Sequence, residues 1–215
     1  MKTELKAFYE KKHLEHGHSS KGVGWDNEKV CSSRYTIAES MLEDEQMTIA
    51  EFGCGNAITS LSLFCYNKER KYIGIEPLRF YYEAALEGIG GFKQATFVQH
   101  SIESFYEMYN KQKMFRDVYK YDYAISIGVF CLKLEQDNEE YYQEAIKAIS
   151  QMLEMSKVGL IFNGFQDCVD RQDPEQFYFN MPRLLQDIYN LGYSKMELIS
   201  RPNLNPYEFF IKIIK

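Results

Sequence analysis

A glycine-rich turn is the feature of this sequence most able to do chemistry. Residues 48–52 are predicted to form a strand that runs directly into Gly53-Cys54-Gly55-Asn56-Ala57, and residues 58–64 are predicted to form a helix. Glycines at such a turn let the backbone bend sharply and let a ligand approach closely. The start of the helix also presents unpaired backbone N–H groups. The turn is therefore a candidate ligand-binding loop.

Glu76 is the second candidate, because it ends the strand-like segment KYIGIE 21 residues beyond Gly55. An acid at this spacing, at the carboxyl end of the neighbouring strand, is placed to accept hydrogen bonds from both hydroxyls of a ribose. The alternative is that Glu76 only caps the helix predicted to begin near Leu78, with Pro77 opening it.

The third small residue separates two classes of nucleotide cofactor. A dinucleotide fingerprint GxGxxG/A would place Gly or Ala at position 58, where this chain has Ile58. The small residue comes one position earlier, at Ala57, and Glu51 stands two residues before the first glycine. This pattern resembles the (D/E)xGxGx(G/A) motif of class I methyltransferases that use S-adenosyl-L-methionine (SAM).

The resemblance implies SAM as the cofactor and a role for each matching residue. In that family the acid before the glycines helps to hold the methionine part of SAM, and the acid after the second strand holds the ribose. The family's acid after the third strand, which reads the adenine amino group, is replaced here by Ser101, which can still accept a hydrogen bond. The cofactor-binding residues expected in the sheet are Glu51, Gly53, Cys54, Gly55, Glu76, Pro77, Ser101, Ile102 and Ile127.

Three further motifs are similar to an uncharacterised bacterial branch of these methyltransferases. They are HGHSSKGVGW at 16–25 followed by Arg34-Tyr35, the fourth-strand segment at 122–133, and YEF at 207–209. In the first of them, Arg34 is a candidate partner for the SAM carboxylate, or else a member of a surface ion pair. Trp25 either closes over the ligand or packs the lid, and Lys21 is a weaker candidate on the same loop.

These residues need a sheet to bring them together. Seven strands are predicted, at residues 48–52, 71–75, 96–99, 121–127, 158–163, 193–199 and 207–214, with helix-length segments between them. This alternation predicts a doubly wound, mainly parallel α/β sheet. The last two strands are joined by a segment too short for a helical crossover, so they are predicted to form an antiparallel terminal hairpin. Residues 1–45 are predicted to form an N-terminal helical cap, and 1–215 a single domain.

Composition limits the choice of partners. The net charge of −6 offers no electrostatic footprint for nucleic acid, and no apolar run is long enough to cross a bilayer. The five cysteines contain no CxxC pair, and no cluster of metal ligands is recognisable, so neither a disulfide framework nor a metal is expected. A cytoplasmic protein is predicted. The many tyrosines and phenylalanines suggest an exposed aromatic patch, through which two copies could associate. A monomer and a homodimer therefore both stay open.

Methyl transfer needs alignment of the reacting groups and no covalent intermediate. A general base would help if the acceptor is a sugar hydroxyl, but the sequence assigns none. His100, at the end of the third strand, is a weak candidate for the base, and the alternative is a histidine beside the adenine or at the surface. The aromatic-rich segment 165–182 is predicted to stand over the pocket, where loops can build acceptor specificity. Its candidate acceptor contacts are Arg171, Tyr178 and Asn180.

The predicted function is methyl transfer to a small soluble molecule, such as O-methylation of a precursor of a surface polysaccharide. Three alternatives stay open at this stage: a methyltransferase of protein or nucleic acid, a SAM-binding module without catalysis, and an NAD-linked oxidoreductase. The position of Ile58 weakens the last of these.

Overall fold

Eight strands form one sheet in the computed structural model, which describes residues 3–65, 69–88, 92–200 and 207–215. Across the sheet the order is β3-β2-β1-β4-β5-β8-β7, and β6 pairs with β5 off this path. The strands are β1 (Thr48–Phe52), β2 (Lys71–Ile75), β3 (Ala95–Val98), β4 (Tyr123–Ser126), β5 (Gly159–Gln166), β6 (Tyr178–Phe179), β7 (Lys195–Ser200) and β8 (Glu208–Ile214).

The strand directions confirm a mainly parallel sheet with a terminal hairpin. Strands β1 to β5 run parallel to one another, whereas β8 runs antiparallel to both β5 and β7. All seven predicted strands are present. The additional strand β6 has only two residues, which is too short for an alternating pattern to reveal it. Most of the predicted connection between β7 and β8, at 201–206, lies outside the described residues.

Helices cover both faces of the sheet, as the doubly wound prediction requires. The helix predicted after the glycine loop begins as α-helix but continues as a π-helical turn over Leu61–Cys65. The helices are α1 (Thr3–His16), α2 (Glu28–Ser40), α3 (Ile58–Ser60), α4 (Arg79–Gly88), α5 (Ile102–Lys111), α6 (Lys113–Val118), α7 (Asn138–Met155) and α8 (Met181–Asn190).

Two apolar clusters form the core, one on each face. Alternation along β1 divides its side chains, so that Ala50 and Phe52 face α5, α7 and α8 while Ile49 faces α2 and the π-helical turn. Phe52 contacts Phe105 of α5 edge-on, with ring centroids 5.5 Å apart. This burial of apolar surface is the main favourable term that holds the helices to the sheet.

The N-terminal cap consists of α1, a short 3-10 helix at Lys21–Val23, and α2. α1 has no fully buried residue, so it lies on the molecule rather than within its core. The Tyr81 hydroxyl in α4 lies within hydrogen-bonding distance of the carbonyl oxygens of Gly22 and Tyr9. The cap is thereby fixed over the carboxyl ends of the parallel strands, confirming the predicted N-terminal helical lid.

Two surface properties bear on partners. Within the described ranges, no helix is both long and apolar enough to cross a membrane. Over those same ranges, Tyr189 is the only exposed aromatic side chain, so the tyrosine and phenylalanine content forms no exposed aromatic patch there.

Candidate active site

A cavity of about 1540 Å³ opens at the carboxyl ends of the parallel strands, under the N-terminal cap. Its walls come from α1, residues 18–28, the loops after β1, β2, β3 and β4, α7, and residues 173–176. Pockets for a single small molecule have volumes of roughly 300–1,000 Å³. This cavity is therefore large enough for two small ligands side by side.

The loop after β1 forms the floor of the cavity. Gly53, Gly55 and Ala57 all adopt positive φ, at 75°, 57° and 53°. A Cβ on Gly53 would lie 2.4 Å from the Val129 side chain, so glycine is required there on steric grounds as well. Cys54 lines the cavity beside these two glycines.

Glu76 lies in the cavity wall directly beside this loop. Its Oε2 accepts the N–H of Gly55 over 2.9 Å, and its Oε1 accepts the N–H of Leu78, also over 2.9 Å. Both sequence interpretations are therefore compatible, because Glu76 binds the start of α4 and still borders the cavity. Each oxygen retains capacity to accept another hydrogen bond. Burial raises the pKa of Glu76 to about 7, against two hydrogen bonds that lower it.

Glu51 occupies a different position from Glu76. It is fully buried, and the hydroxyls of Tyr35 in α2 and Tyr72 in β2 each donate to one of its oxygens. It is not among the residues that line the cavity. Burial raises the pKa of Glu51, opposed by the tyrosine hydrogen bonds. This geometry gives Glu51 a place beneath the loop, and any contact with a ligand stays a prediction.

Four more of the residues predicted to bind the cofactor border the cavity. Pro77, Ser101, Ile102 and Ile127 all line it. Ser101 is also the N-cap of α5, since its hydroxyl accepts the N–H of Ser104 over 3.1 Å. The backbone N–H of Ile102, in the first turn of that helix, belongs to the set that a helix cannot satisfy itself.

His100 also lines the cavity. Its Nδ1 lies 3.1 Å from the Ser104 hydroxyl, and burial lowers its pKa. This contact holds His100 beside the N-terminus of α5, and whether it lies beside an adenine stays a prediction. No described contact directs it toward a reacting atom.

Arg34 and Trp25 line the cavity where the cap meets the sheet. The Arg34 guanidinium lies 4.5 Å from the Trp25 ring centroid, and its Nε donates to Glu208 Oε1 over 2.6 Å. Glu208 is fully buried at the start of β8, and it also accepts from Asn163. Asn163 in turn accepts the N–H of Gly128 over 2.7 Å. Arg34 is therefore held in a buried network rather than in a surface ion pair.

The remaining predicted residues divide into two groups. Lys21 lines the cavity, whereas Arg171, Tyr178 and Asn180 do not. The Tyr178 hydroxyl makes local hydrogen bonds with Gln176 and with the N–H of Asp173, and Asn180 caps α8. Their predicted part in acceptor binding has no contact to support it. The same segment reaches the cavity instead through Asp173, Glu175 and Gln176.

Several residues of the site were not predicted from the sequence. Glu208 and Asn163 could have been found as polar residues inside apolar strands, YEFFIKII and LIFNGF, where a side chain needs a buried partner. Tyr9 on α1 had no comparable signal. In the part of the chain that the structure describes, no group of three or more His, Cys, Asp and Glu side chains could hold a metal ion.

No protein-family model matches the sequence, and the curated proteins compared with it give no significant match. Solved structures match by shape. A SAM-dependent methyltransferase from Aquifex aeolicus is 13% identical, with a TM-score of 0.60 over 97% of each chain. The CurJ carbon methyltransferase is 12% identical with a TM-score of 0.66 over 94% of this chain, which spans 60% of that one.

A third similar structure carries bound ligands. It is the 1,6-didemethyltoxoflavin-N1-methyltransferase of Burkholderia thailandensis, with 1,6-didemethyltoxoflavin and S-adenosylhomocysteine bound. It is 14% identical, with a TM-score of 0.64 over 98% of this chain and 87% of its own. At these identities the comparison concerns the fold. The chain has the class I fold of SAM-dependent methyltransferases.

Proposed function

We propose that the chain is a SAM-dependent methyltransferase that acts on a small-molecule acceptor. One observation carries this proposal: in a methyltransferase fold, a buried carboxylate, Glu76, is hydrogen-bonded to the glycine loop and still borders a cavity at the carboxyl ends of the strands. An acid at that position is suited to the two hydroxyls of a ribose.

The residues of the cavity fit the parts of SAM. Glu76 would hold the ribose, and Ile102 and Ile127 would contact the adenine, with Ser101 beside them. Arg34 would pair with the methionine carboxylate, since a guanidinium held by one nitrogen has others left to donate. Glu51 would act through the loop that it underlies. When bound, SAM supplies a methyl group made electrophilic by a positively charged sulfur.

The chain's own contribution to the reaction is positioning and exclusion of water. Displacement of the methyl group from SAM would need no covalent bond to any residue of this chain. Alignment in a closed cavity can supply much of the acceleration, because an oriented pair reacts as if unimolecular. The cap, with Trp25 packed against Gly128, closes one side of that cavity.

The cavity is large enough for two small ligands, which favours a small acceptor beside the cofactor over a macromolecular acceptor. A methyltransferase of protein or nucleic acid would need an open groove or a basic face, and the net charge of −6 provides no general basic character. The finer prediction of O-methylation of a surface-polysaccharide precursor rests on resemblance, and no described contact supports it. A SAM-binding module without catalysis would share every cofactor contact.

Isothermal titration with SAM, its demethylated product S-adenosylhomocysteine (SAH) and NAD tests the proposal directly. We expect SAM and SAH to bind and NAD not to bind. Glu76→Ala should weaken the binding of SAM and of SAH by about 1–3 kcal/mol each, because the charge-assisted hydrogen bonds are lost. Binding of NAD alone would refute the proposal. Labelled SAM with an acceptor panel then separates a catalyst from a binding module.

A further inference from the structure

We propose that the acceptor is an uncharged, flat ring compound whose nucleophile is a ring hydroxyl or ring N–H, bound between α1 and the loop after β4. This inference rests on the proposed function. The acceptor compartment is defined here as the part of the cavity lined by Phe8 and Tyr9 of α1, residues 131–136, Tyr141 of α7, and residues 173–176.

Aromatic rings from separate elements form the walls of this compartment. Tyr9 is held by edge contacts with Phe8 and Tyr81, at centroid distances of 5.3 and 6.1 Å. Tyr141 packs on Phe177 at 4.6 Å, and its hydroxyl donates to the Val129 carbonyl over 3.3 Å. Rings fixed in this way offer flat surfaces on which another ring can stack at little entropic cost.

Two polar groups inside the charged rim of the compartment are neutral. Burial raises the pKa of the Cys131 thiol to about 12, and burial, with Cys131 and Glu76 nearby, also raises the pKa of the Tyr9 hydroxyl. Both groups therefore stay protonated near neutral pH. A ring acceptor with a hydroxyl or N–H can use these groups without bringing a charge of its own.

The rim of the compartment is acidic, which disfavours an anionic acceptor. Among the described residues of the compartment, the three acids Glu135, Asp173 and Glu175 outnumber the one cation, Lys133. A field of one sign at the mouth of a cavity repels ligands of the same sign. A nucleotide-linked sugar or another phosphate ester is therefore a poorer fit than a neutral ring.

The loop after β4 is built with backbone strain at this site. Leu134 has φ of 53°, although leucine rarely adopts the left-handed region. The N–H groups of Lys133 and Leu134 both donate to the Glu175 carbonyl over 2.9 Å, which ties the two sides of the rim together. Such strain persists only where the surrounding contacts impose it, and it is concentrated at ligand sites.

Three probes test the proposal on the complex with SAH: 2-naphthol, 2-naphthoate and UDP-glucose, each titrated by ligand-observed NMR. We expect 2-naphthol to bind at least about tenfold more tightly than either anion, equivalent to about 1.4 kcal/mol. Tyr9→Ala should weaken the binding of 2-naphthol by a similar factor. The matched control Tyr189→Ala, on the exposed face of α8, should leave that binding unchanged. Tighter binding of an anionic probe, or an unchanged affinity of Tyr9→Ala for 2-naphthol, would overturn the inference.

A second variant keeps the test decisive if Tyr9→Ala does not fold. Glu175→Lys reverses a charge on an exposed residue of the rim and should raise the affinity of 2-naphthoate relative to 2-naphthol. Glu45→Lys, an exposed acid outside the cavity, is the control and should leave that ratio unchanged. No shift with Glu175→Lys would contradict the acidic-rim argument. Failure of SAH to bind the wild-type chain would instead refute the proposed function, and this inference with it.

Discussion

Arg34 and Glu208 are 174 positions apart in the sequence, yet Arg34 Nε donates to Glu208 Oε1 over 2.6 Å in the interior of the molecule. Glu208 is fully buried, and Arg34 is only 5% exposed. This ion pair joins α2 of the cap to the first residue of β8, next to the cavity. It therefore couples the stability of the fold to the position of a cation in the candidate site.

The free energy of unfolding should reveal this coupling. Arg34→Leu or Glu208→Leu leaves one buried charge without its partner, which costs about 3–5 kcal/mol. The double variant should lose less than the sum of the two, because neither charge is then left behind. Urea denaturation measures all three. The exposed pair Lys147 and Glu103 is the control, for which single leucine variants should change stability by about 1 kcal/mol or less.

Ligand binding should show whether Glu208 positions Arg34 for the methionine carboxylate. Glu208→Gln keeps the shape of the side chain but removes the charge that holds the guanidinium. We expect about tenfold weaker binding of SAH, comparable to one hydrogen bond to a charged group. Affinity for 5′-methylthioadenosine, which lacks the amino-acid part, should not change. An equal loss for both ligands would place the effect elsewhere in the site.

The affinity for SAM should depend on the ionisation of Glu76. Burial raises the pKa of Glu76 to about 7 in the free protein. Ribose hydroxyls and a cationic sulfur both favour the carboxylate, so binding lowers this pKa and releases a proton. Affinity should therefore rise with pH across a window of about 6 to 8 and level off above it. Titration calorimetry in buffers of different ionisation enthalpy measures the proton released.

Two variants distinguish the contribution of Glu76 from that of His100, another titratable residue of the cavity. Glu76→Gln should bind SAM more weakly and without the rise between pH 6 and 8. His100→Asn should retain the rise, since His100 is not the group responsible. If Glu76→Gln kept the pH dependence of the wild-type chain, a different residue would control it.

Stability without ligand should follow the opposite trend. The pKa of Glu76 in the folded state lies above its ordinary value of 4.5. Because the folded state holds the proton more tightly, the contribution of Glu76 to stability decreases as pH rises from about 4.5 to 7. The free energy of unfolding of Glu76→Gln, relative to that of the wild-type chain, should therefore be most favourable above pH 7. Urea denaturation measures both. A relative gain for the variant at low pH would contradict the sign.

The parts of the site that are local in sequence could be predicted. The glycine loop and Glu76 follow from the spacing between two adjacent parallel strands, which fixes where their carboxyl ends meet. Asn180 shows a local signal that the prediction missed. It precedes Met181-Pro182, and an Asn just before a proline in the first helical turn is typical of a helix N-cap, which is its role in α8.

The long-range parts could not be predicted from spacing. The pairing of Arg34 with Glu208 depends on β8 inserting between β5 and β7, so that its first residue faces α2. Periodicity identifies β8 as a strand but does not give its neighbours. The approach of Tyr9 to the cavity depends likewise on where α1 docks, and α1 has no fully buried residue that would mark its inner face.

Gly128→Ala should disturb the cap through its contact with Trp25. A Cβ at Gly128 would lie 2.3 Å from the Trp25 ring, so the indole must move. Since Trp25 is the only tryptophan of the chain, its fluorescence reports this movement directly. We expect emission shifted to longer wavelength, as the ring becomes more exposed, together with weaker SAH binding.

Gly192→Ala is the matched control for this variant. Gly192 also has positive φ, at 97°, but a Cβ there would meet no atom within 4 Å. Both substitutions therefore incur the left-handed backbone cost of about 1–2 kcal/mol, and only Gly128→Ala adds the clash. If both variants changed the emission of Trp25 alike, backbone strain rather than the contact would be the cause.

Tyr35→Phe should separate the structural role of Glu51 from a role in ligand binding. The substitution removes the hydroxyl that donates to Glu51 Oε1 over 2.7 Å and leaves a fully buried carboxylate oxygen unsatisfied. The expected cost is about 1–3 kcal/mol of unfolding free energy. Tyr189→Phe, on an exposed tyrosine, should stay within about 0.5 kcal/mol of the wild-type chain.

Because Glu51 does not line the cavity, SAH affinity of the Tyr35→Phe variant should change little once the fold is intact. Because Tyr35 itself lines the cavity, lost affinity with unchanged stability would instead indicate that the Tyr35 hydroxyl contacts the ligand.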